Sequence, residues 1–153
     1  MGMFDALNVS ATGLTAERLR MDVTAENLAN AQTTRGADGQ PYRRKEVVLA
    51  EVQSGGFGSQ LAKAIGAGSA SGSRVGGPNG VEVAGIAEDA SEGKRVYDPG
   101  HPDADGDGYV TMPNVDTVTE MVDLIDAQRA YEANVTAMSA GKQMFAKTLE
   151  ILR

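Results

Sequence analysis

"VDTVTEMVDLIDAQRAYEANVTAMSAGKQMFAKTLEIL", residues 115–152, decides the fold of this chain because one repeat runs through it. Apolar side chains return at alternating steps of three and four residues, which places a single apolar seam along an α-helix. A strict seven-residue repeat is typical of a helix that coils around a partner. Such a helix would measure about 55 Å at 1.5 Å per residue, which is long for a chain of this size. The seam consists of Met121, Leu124, Gln128, Tyr131, Val135, Met138, Lys142, Phe145, Leu149 and Leu152.

A second seam with the same steps lies near the N-terminus. We expect this first helix to end within residues 30–42, where two glycines and Pro41 disfavour a helix. The second helix is expected to begin with Asn114 or Asp116 as its N-cap. The N-terminal seam consists of Phe4, Leu7, Ala11, Leu14, Arg18, Met21, Ala25 and Leu28.

The segment between the helices is predicted to form a small β-rich body. "KEVVLAEV" (45–52) and "VEVAGIAED" (81–89) have the composition of strands, and "KRVYD" (94–98) is the expected hairpin partner of the second. Residues 54–80 hold nine glycines and five serines. That composition cannot readily offset its own ordering entropy, so we expect a flexible insert there.

These patterns predict an α+β fold with long N- and C-terminal helices that form a coiled-coil layer and with a small β-rich central domain. The expected boundaries are 1–34 for the N-terminal helix, 35–113 for the central domain and 114–153 for the C-terminal helix.

The two seams could pack on each other within one chain, or they could also meet other subunits. The β-rich body is too small to cover both of them, and long uncovered apolar stripes usually mark interaction sites. We therefore expect contacts with other subunits. The expected interface residues from the seams are Leu7, Leu14, Met21, Leu28, Met121, Leu124, Tyr131, Val135, Met138, Phe145, Leu149 and Leu152.

Composition and charge exclude several classes of function. The net charge is −7 and the pI is near 4.7, which argues against a nucleic-acid partner because phosphate binding needs clustered Lys and Arg. The chain has no cysteine, so it has no disulfide, thiolate nucleophile or cysteine-based zinc site. No apolar run approaches the roughly 18–20 residues of a membrane span. No cleavable signal peptide is expected either, because the first basic residue is Arg18.

Enzyme signatures are missing from the sequence. A Ser-His-Asp arrangement would need His101, the single histidine, and no Gly-x-Ser-x-Gly elbow supplies a nucleophile. The glycines of 54–80 lack the Lys-Ser/Thr ending of a phosphate-binding loop. We expect a protein without enzymatic activity and without a cofactor.

The stretch "DPGHPDADGDGY" (98–109) resembles the start of a calcium-binding loop. Asp103, Asp105 and Asp107 alternate before a glycine and are the candidate metal ligands. The pattern then fails, because the twelfth position is Asn114 where a bidentate glutamate is required. We expect turns in which aspartates cap backbone amides. A calcium-responsive binding module is the alternative function.

Two segments resemble the flagellar rod and hook proteins of bacteria. "LTAERLRMDVTAENLANAQTT" (14–34) is similar to their N-terminal signature, with Asn27-Leu28-Ala29-Asn30-Ala31 as its centre. "VYDPGHPDADGDGYVTMPNVDTVTEMVDLIDAQRAYEANVTAMSAGKQMFAKTLEIL" (96–152) is similar to the C-terminal part of these proteins. The resemblance adds Asn27 and Asn30 to the expected subunit interface.

The resemblance implies a structural subunit of the proximal rod, which crosses the periplasm in the flagellar basal body. Its terminal helices would pack into a shared coiled-coil inner layer that transmits torque. The implied partners are other rod proteins, copies of the chain itself and the export-gate adaptor at the rod base. Export would use the flagellar type III apparatus without a cleaved signal peptide. Relatives carry other residues among the aspartates of 103–107, which implies that chelation is not the shared purpose of this loop.

Overall fold

The structure is a computed structural model that describes residues 3–36, 38–52 and 80–151. The described part confirms the predicted α+β fold, with two long terminal helices and short antiparallel strands between them. The predicted flexible insert lies outside the described residues except for Gly80, as does the seam residue Leu152. The elements are α1 (Met3–Ala29), β1 (Lys45–Glu51), β2 (Val81–Glu88), β3 (Arg95–Tyr97), β4 (Tyr109–Thr111) and α2 (Thr117–Ile151).

Local hydrogen bonds define the ends of the helices next to the β-rich body. Asp116 is the N-cap of α2, because its Oδ1 accepts a hydrogen bond of 2.9 Å from the amide of Val118. The side chain of Asn30 ends α1, since its Nδ2 donates to the carbonyl of Glu26 at 2.9 Å. The first helix therefore ends at Ala29, and the chain then turns.

The two helices run antiparallel along their full common length. Asn27 contacts Glu120, and a β-carbon on Gly13 would lie 3.1 Å from the side chain of Asn134. In these facing pairs the residue numbers add up to 147. From this register, Met3 lies level with residue 144, so the last two turns of α2 extend beyond the first described residue of α1.

The first β-ladder lies on α1. β1 and β2 are antiparallel, from Lys45 opposite Glu88 to Glu51 opposite Val81, with an irregularity between Val48 and Leu49. α1 contacts α2, β1 and β2, so it lies between the other helix and this ladder.

One side chain of α1 fixes the far end of this ladder. The amide of Val81 donates to Thr12 Oγ1 at 3.2 Å. A β-carbon on Gly80 would lie 2.5 Å from the same oxygen, which explains why a glycine precedes the strand. β1 and β2 therefore run along α1 from the level of Asn27 to the level of Thr12.

The second β-ladder corrects one prediction. β3 pairs with β4, from Arg95 opposite Thr111 to Tyr97 opposite Tyr109, and does not pair with β2 as expected. The aspartate-rich stretch is the loop of this hairpin, closed by a hydrogen bond of 2.9 Å from the amide of Asp98 to the carbonyl of Gly108. Gly108 has a φ of +76°, a conformation that favours glycine. The Tyr97 and Tyr109 rings meet edge to face at 5.3 Å.

The buried interior is narrow and partly polar. Within the described residues, the largest side chains that are fully buried are Glu120 and Asn27, each 1% exposed. Many larger apolar side chains lie at the surface instead, which leaves apolar area available for contacts outside the chain. The buried apolar residues are all small or medium in size: Ala16, Val23, Ala31, Val110 and Ala127.

Candidate assembly surface

Asn27 lies at the centre of a polar junction between α1, α2 and the start of β1. Its Nδ2 donates to the carbonyl of Lys45 at 2.8 Å and to Glu120 Oε2 at 3.0 Å. Its Oδ1 accepts from the Tyr42 hydroxyl at 2.9 Å and from the amide of Lys45 at 3.0 Å. Two donor bonds and two acceptor bonds satisfy a carboxamide completely. The polar junction, as we use the term, comprises Asn27, Tyr42, Arg44, Asn114 and Glu120.

Glu120 brings a buried negative charge to this junction, and Arg44 balances it. Arg44 Nε lies 2.6 Å from Glu120 Oε1, and Arg44 Nη2 lies 3.2 Å from Asp123 Oδ2. The hydrogen bond to Glu120 raises the pKa of Arg44, against the opposing effect of its burial. Because Glu120 is 1% exposed, its carboxylate depends on these protein partners for solvation.

Asn114 extends the junction to the β-rich body. Its Oδ1 accepts from the amide of Arg44 at 2.8 Å, and its Nδ2 donates to the carbonyl of Asp89 at 3.2 Å and to Ser91 Oγ at 3.0 Å. Asp89 Oδ1 in turn accepts from the amide of Ser91, and this hydrogen bond lowers the pKa of Asp89. The junction thus holds two helices and two connecting segments in one arrangement. The polar groups of the junction are occupied by one another.

The helix face that packs on α1 differs from the predicted seam at every second position. Leu124, Tyr131 and Met138 are half-buried and belong to that face, as predicted. At the positions between them, the residue that faces α1 is the one just before the predicted residue. Ala127, for example, is fully buried, whereas the predicted seam residue Gln128 is exposed. The residues that replace the predicted ones are Glu120 for Met121, Ala127 for Gln128, Asn134 for Val135 and Gly141 for Lys142.

Small residues explain this shift. A β-carbon on Gly141 would lie 3.0 Å from Leu7 Cδ2, so the helices approach closely where α2 has only a hydrogen atom. Apolar periodicity selected the larger side chains and therefore missed this line. The seven-residue spacing of Ala127, Asn134 and Gly141, which are small or short, is the signal that could have located it.

The predicted interface residues fall into three groups. Asn27 is buried within the chain, where its side chain makes the hydrogen bonds of the junction. The half-buried group comprises Leu7, Leu14, Met21, Leu28, Asn30, Leu124, Tyr131 and Met138. The exposed group comprises Met121 (46%), Val135 (41%), Phe145 (40%) and Leu149 (53%). Contact of these residues with other subunits stays a prediction.

Two aspartates of the hairpin loop bond to residues of neighbouring segments. Asp103 Oδ2 accepts from the Thr34 hydroxyl at 2.8 Å, and Arg35 lies 3.5 Å from its other oxygen. Asp105 lies 3.9 Å from Arg95 on the neighbouring strand. In the ranges that the structure covers, no three acidic or histidine side chains converge on a point where they could hold a metal ion. These contacts give no support to the alternative calcium-responsive function.

Both helices are long enough for the question of a membrane span to arise. Over the described residues, neither helix combines the length and the apolar composition that crossing a bilayer would need.

Comparison with known proteins finds relatives along the whole chain. The family described as "Flagella basal body rod protein" matches residues 7–37, and the one described as "Flagellar basal body rod FlgEFG protein C-terminal" matches residues 107–151. These two segments include Asn27 and Glu120, the buried partners of the junction.

Individual relatives carry the same kind of name. The flagellar basal-body rod protein FlgC of Bacillus subtilis (strain 168) is 51% identical over 156 residues, which cover 99% of this chain and 99% of the relative. That of Borreliella burgdorferi is 44% identical over 163 residues, with coverage of 100% and 99%. That of Salmonella typhimurium (strain LT2) is 40% identical over 151 residues, with coverage of 99% and 98%.

Proposed function

The chain belongs to the family of flagellar basal-body rod proteins and is a structural subunit of the rod. We propose that it assembles there through apolar side chains of its terminal helices that stay exposed in the single subunit. Its place is the bacterial flagellar basal body, and its work is mechanical. The family is one of structural proteins, which agrees with a junction whose polar groups hold one another.

One observation carries the proposal: the seam of α2 is only partly covered within the chain. Met121, Val135 and Leu149 remain 41–53% exposed after α1 has packed on the helix. Fully burying a side chain of this size contributes about 1.5–3 kcal/mol, so completing the burial of each contributes about 1 kcal/mol. Summed over many subunits, such contacts support a stiff assembly without any strong single bond.

We further propose the position and the neighbours of the subunit within the rod. The position is the proximal rod in the periplasm, and the neighbours are copies of the chain, other rod proteins and the export-gate adaptor at the rod base. The subunit would reach this place through the flagellar type III apparatus without a cleaved signal peptide. Family membership supports these assignments, and the names of the relatives refer to the basal-body rod.

The proposed mechanism assigns a separate task to each part of the molecule. The terminal helices form the coiled-coil inner layer, in which neighbouring subunits bury the exposed seam residues. The junction fastens the β-rich body to both helices through Asn27 and Arg44. A load applied to the helices then reaches the β-rich body through hydrogen bonds that are already formed in the single subunit.

The experiment that tests this function places a charge on the exposed seam. We expect Val135→Asp to lower incorporation into isolated basal bodies by at least about tenfold, because burying an unpaired carboxylate costs several kcal/mol and 1.4 kcal/mol is already a factor of ten. Thr136→Asp is the matched control, since Thr136 is exposed one residue further along α2 and off the seam. Equal incorporation of both variants would contradict the proposal. Circular dichroism of the purified subunits checks that both remain folded.

A further inference from the structure

Three aspartates of the described chain are followed directly by a glycine, and the structure distinguishes one of them from the others. The main chain rearranges most easily at such a pair, because glycine has no β-carbon to hinder attack on the preceding side chain. The attacking atom is the amide nitrogen of the glycine, so the hydrogen bonding of that amide affects how readily the pair reacts. The three pairs are Asp38-Gly39, Asp105-Gly106 and Asp107-Gly108.

Two of the three glycine amides are held in turns. The amide of Gly39 donates to the carbonyl of Gly36 at 3.0 Å, and the amide of Gly108 donates to the carbonyl of Asp105 at 2.8 Å. The amide of Gly106, in contrast, donates to no acceptor among the residues that the structure describes. A bonded amide must leave its acceptor before it can attack, and one such hydrogen bond changes an equilibrium by about two- to tenfold.

The carboxyl group of Asp105 is also accessible to attack. Its side chain is 68% exposed, and a β-carbon added at Gly106 would meet no atom within 4 Å, so the space beside the reacting bond is open. Asp105 Oδ2 lies 3.9 Å from Arg95 Nη2, and the side chain of Arg95 is itself 60% exposed. An exposed ion pair of this length is weak and restrains the carboxyl group little.

We propose that the fold selects Asp105 as a site of spontaneous isoaspartate formation. This inference does not depend on the proposed function. In the first step, the nitrogen of Gly106 loses its proton and forms a bond to Cγ of Asp105, while one carboxyl oxygen leaves as water. The product is a five-membered succinimide ring that includes the main-chain carbonyl carbon of Asp105.

In the second step, a water molecule opens the succinimide ring. If water breaks the bond between the nitrogen and Cγ, aspartate is restored. If water breaks the bond between the nitrogen and the main-chain carbonyl carbon, the chain continues through Cγ and the residue becomes isoaspartate. One water molecule is released and one is consumed, so the rearrangement needs no enzyme, oxidant or cofactor.

The rearrangement would alter the turn in the hairpin loop between β3 and β4. Isoaspartate adds one carbon atom to the main chain between residues 105 and 106, and it converts the main-chain carbonyl of Asp105 into a free carboxylate. In the unmodified chain that carbonyl accepts from Gly108, and the amide of Asp105 donates to the carbonyl of Tyr109 at 2.9 Å. We therefore expect the isoaspartate form to lose this turn.

Peptide mapping of the purified full-length subunit tests the proposal. The subunit is incubated at neutral pH in heavy-oxygen water, which labels each residue whose ring has opened, and electron-transfer fragmentation then locates isoaspartate. We expect several-fold more of it at Asp105 than at Asp107 or Asp38. Asn79 is mapped separately, because an asparagine before a glycine forms the same ring and this one lies outside the described residues.

The unfolded chain separates the effect of the fold from the effect of the sequence. In concentrated urea all three glycine amides are free of the turns, so we expect the preference for Asp105 to disappear. The incubation continues until the unfolded chain has formed measurable isoaspartate.

One substitution blocks the attack directly. Gly106→Ala should lower the yield of isoaspartate at Asp105 several-fold, because the added methyl group hinders the nitrogen. The fold can accept it, since Gly106 has no positive φ and the added β-carbon meets no neighbour. Gly100→Ala is the matched control in the same loop, follows a proline and should leave the yield unchanged. Circular dichroism checks that both variants are folded.

Several results would overturn the proposal. They are equal rates at Asp105 and at Asp107 or Asp38 in the folded subunit, a preference for Asp105 that persists in urea, an undiminished yield in Gly106→Ala, and a folded subunit that forms no isoaspartate while the unfolded chain does. None of these measurements involves incorporation into basal bodies, so this proposal and the proposed function can fail separately.

Discussion

Asn27 and Glu120 illustrate a choice between stability and specificity. Two buried apolar side chains of the same size could hold the helices together with equal or greater stability, because a buried ionic group first has to lose its hydration. They would accept many relative positions of α1 and α2. The carboxamide of Asn27 and the carboxylate of Glu120 accept one, in which four protein groups are placed around Asn27.

Removing the charge of Glu120 should weaken the whole subunit. We expect Glu120→Gln to lower the free energy of unfolding by about 2 kcal/mol, because Arg44 loses a charged hydrogen-bond partner and is itself only partly exposed. Asp126→Asn is the control on an exposed position of the same helix and should change it by less than about 0.5 kcal/mol. Urea unfolding measures both. Similar midpoints for the two variants would show that the junction does not stabilise the fold.

Tyr42 should make stability depend on alkaline pH. Burial, and then the charge of Glu26, raise the pKa of its hydroxyl above the usual 10.0. A raised tyrosine pKa means that the folded state prefers the protonated form. The stabilisation is therefore complete below pH 10 and is lost as the pH rises from 10 through the folded pKa.

The variant Tyr42→Phe tests this dependence. At neutral pH we expect it to lose about 1 kcal/mol of unfolding free energy, because Asn27 Oδ1 loses one of its two donors. Above pH 10 the difference from the parent chain should shrink. Urea midpoints at neutral and alkaline pH give the result, with the exposed Tyr97→Phe as control. A difference that stays constant with pH would contradict the assignment.

At the level of the elements, the close contact of α1 and α2 depends on the absence of a side chain at Gly141 of α2. We expect Gly141→Leu to destabilise the chain by about 1–2 kcal/mol, because overpacking against Leu7 outweighs the better helix propensity of leucine. Ala140→Leu, one residue earlier and exposed, is the control and should be neutral. Thermal unfolding followed by circular dichroism compares them. A Gly141→Leu variant as stable as its control would mean that the helices are not in close contact there.

Some elements could be predicted from the sequence alone, and others could not. The long helices, the strands at 45–52 and 81–89 and the N-cap at Asp116 follow from local patterns, which is why they were predictable. The pairing of β3 with β4 was missed because it depends on where a hairpin loop brings the chain back. The bonds from Asn27 to Tyr42 and Glu120 join residues 15 and 93 positions apart, and no local period encodes such partners.

On the scale of the whole molecule, the packing of the helices predicts that some parts resist local unfolding more than others. α1 contacts three other elements, whereas the last two turns of α2 pass the described start of α1. We expect the slowest amide hydrogen exchange in residues 16–24 of α1 and near residues 120–127 of α2, and the fastest helical exchange beyond residue 144. Mass spectrometry of the free subunit measures this. Equal protection at both ends of α2 would contradict the expected order.

The apolar groups between α1 and α2 repeat every seven residues and the polar groups do not. This difference has a consequence for a rod that transmits torque. Shear between α1 and α2 by one seven-residue repeat, about 10.5 Å, would bring apolar faces together again. The polar groups do not repeat in this way, because Ala127 lies seven residues after Glu120 and would then stand opposite Asn27. Such a slip would also separate Glu120 from Arg44, and breaking a buried pair costs about 3–5 kcal/mol. The junction therefore resists sliding of α1 along α2. A twisting force would deform the subunit elastically before the two helices could shift to another register.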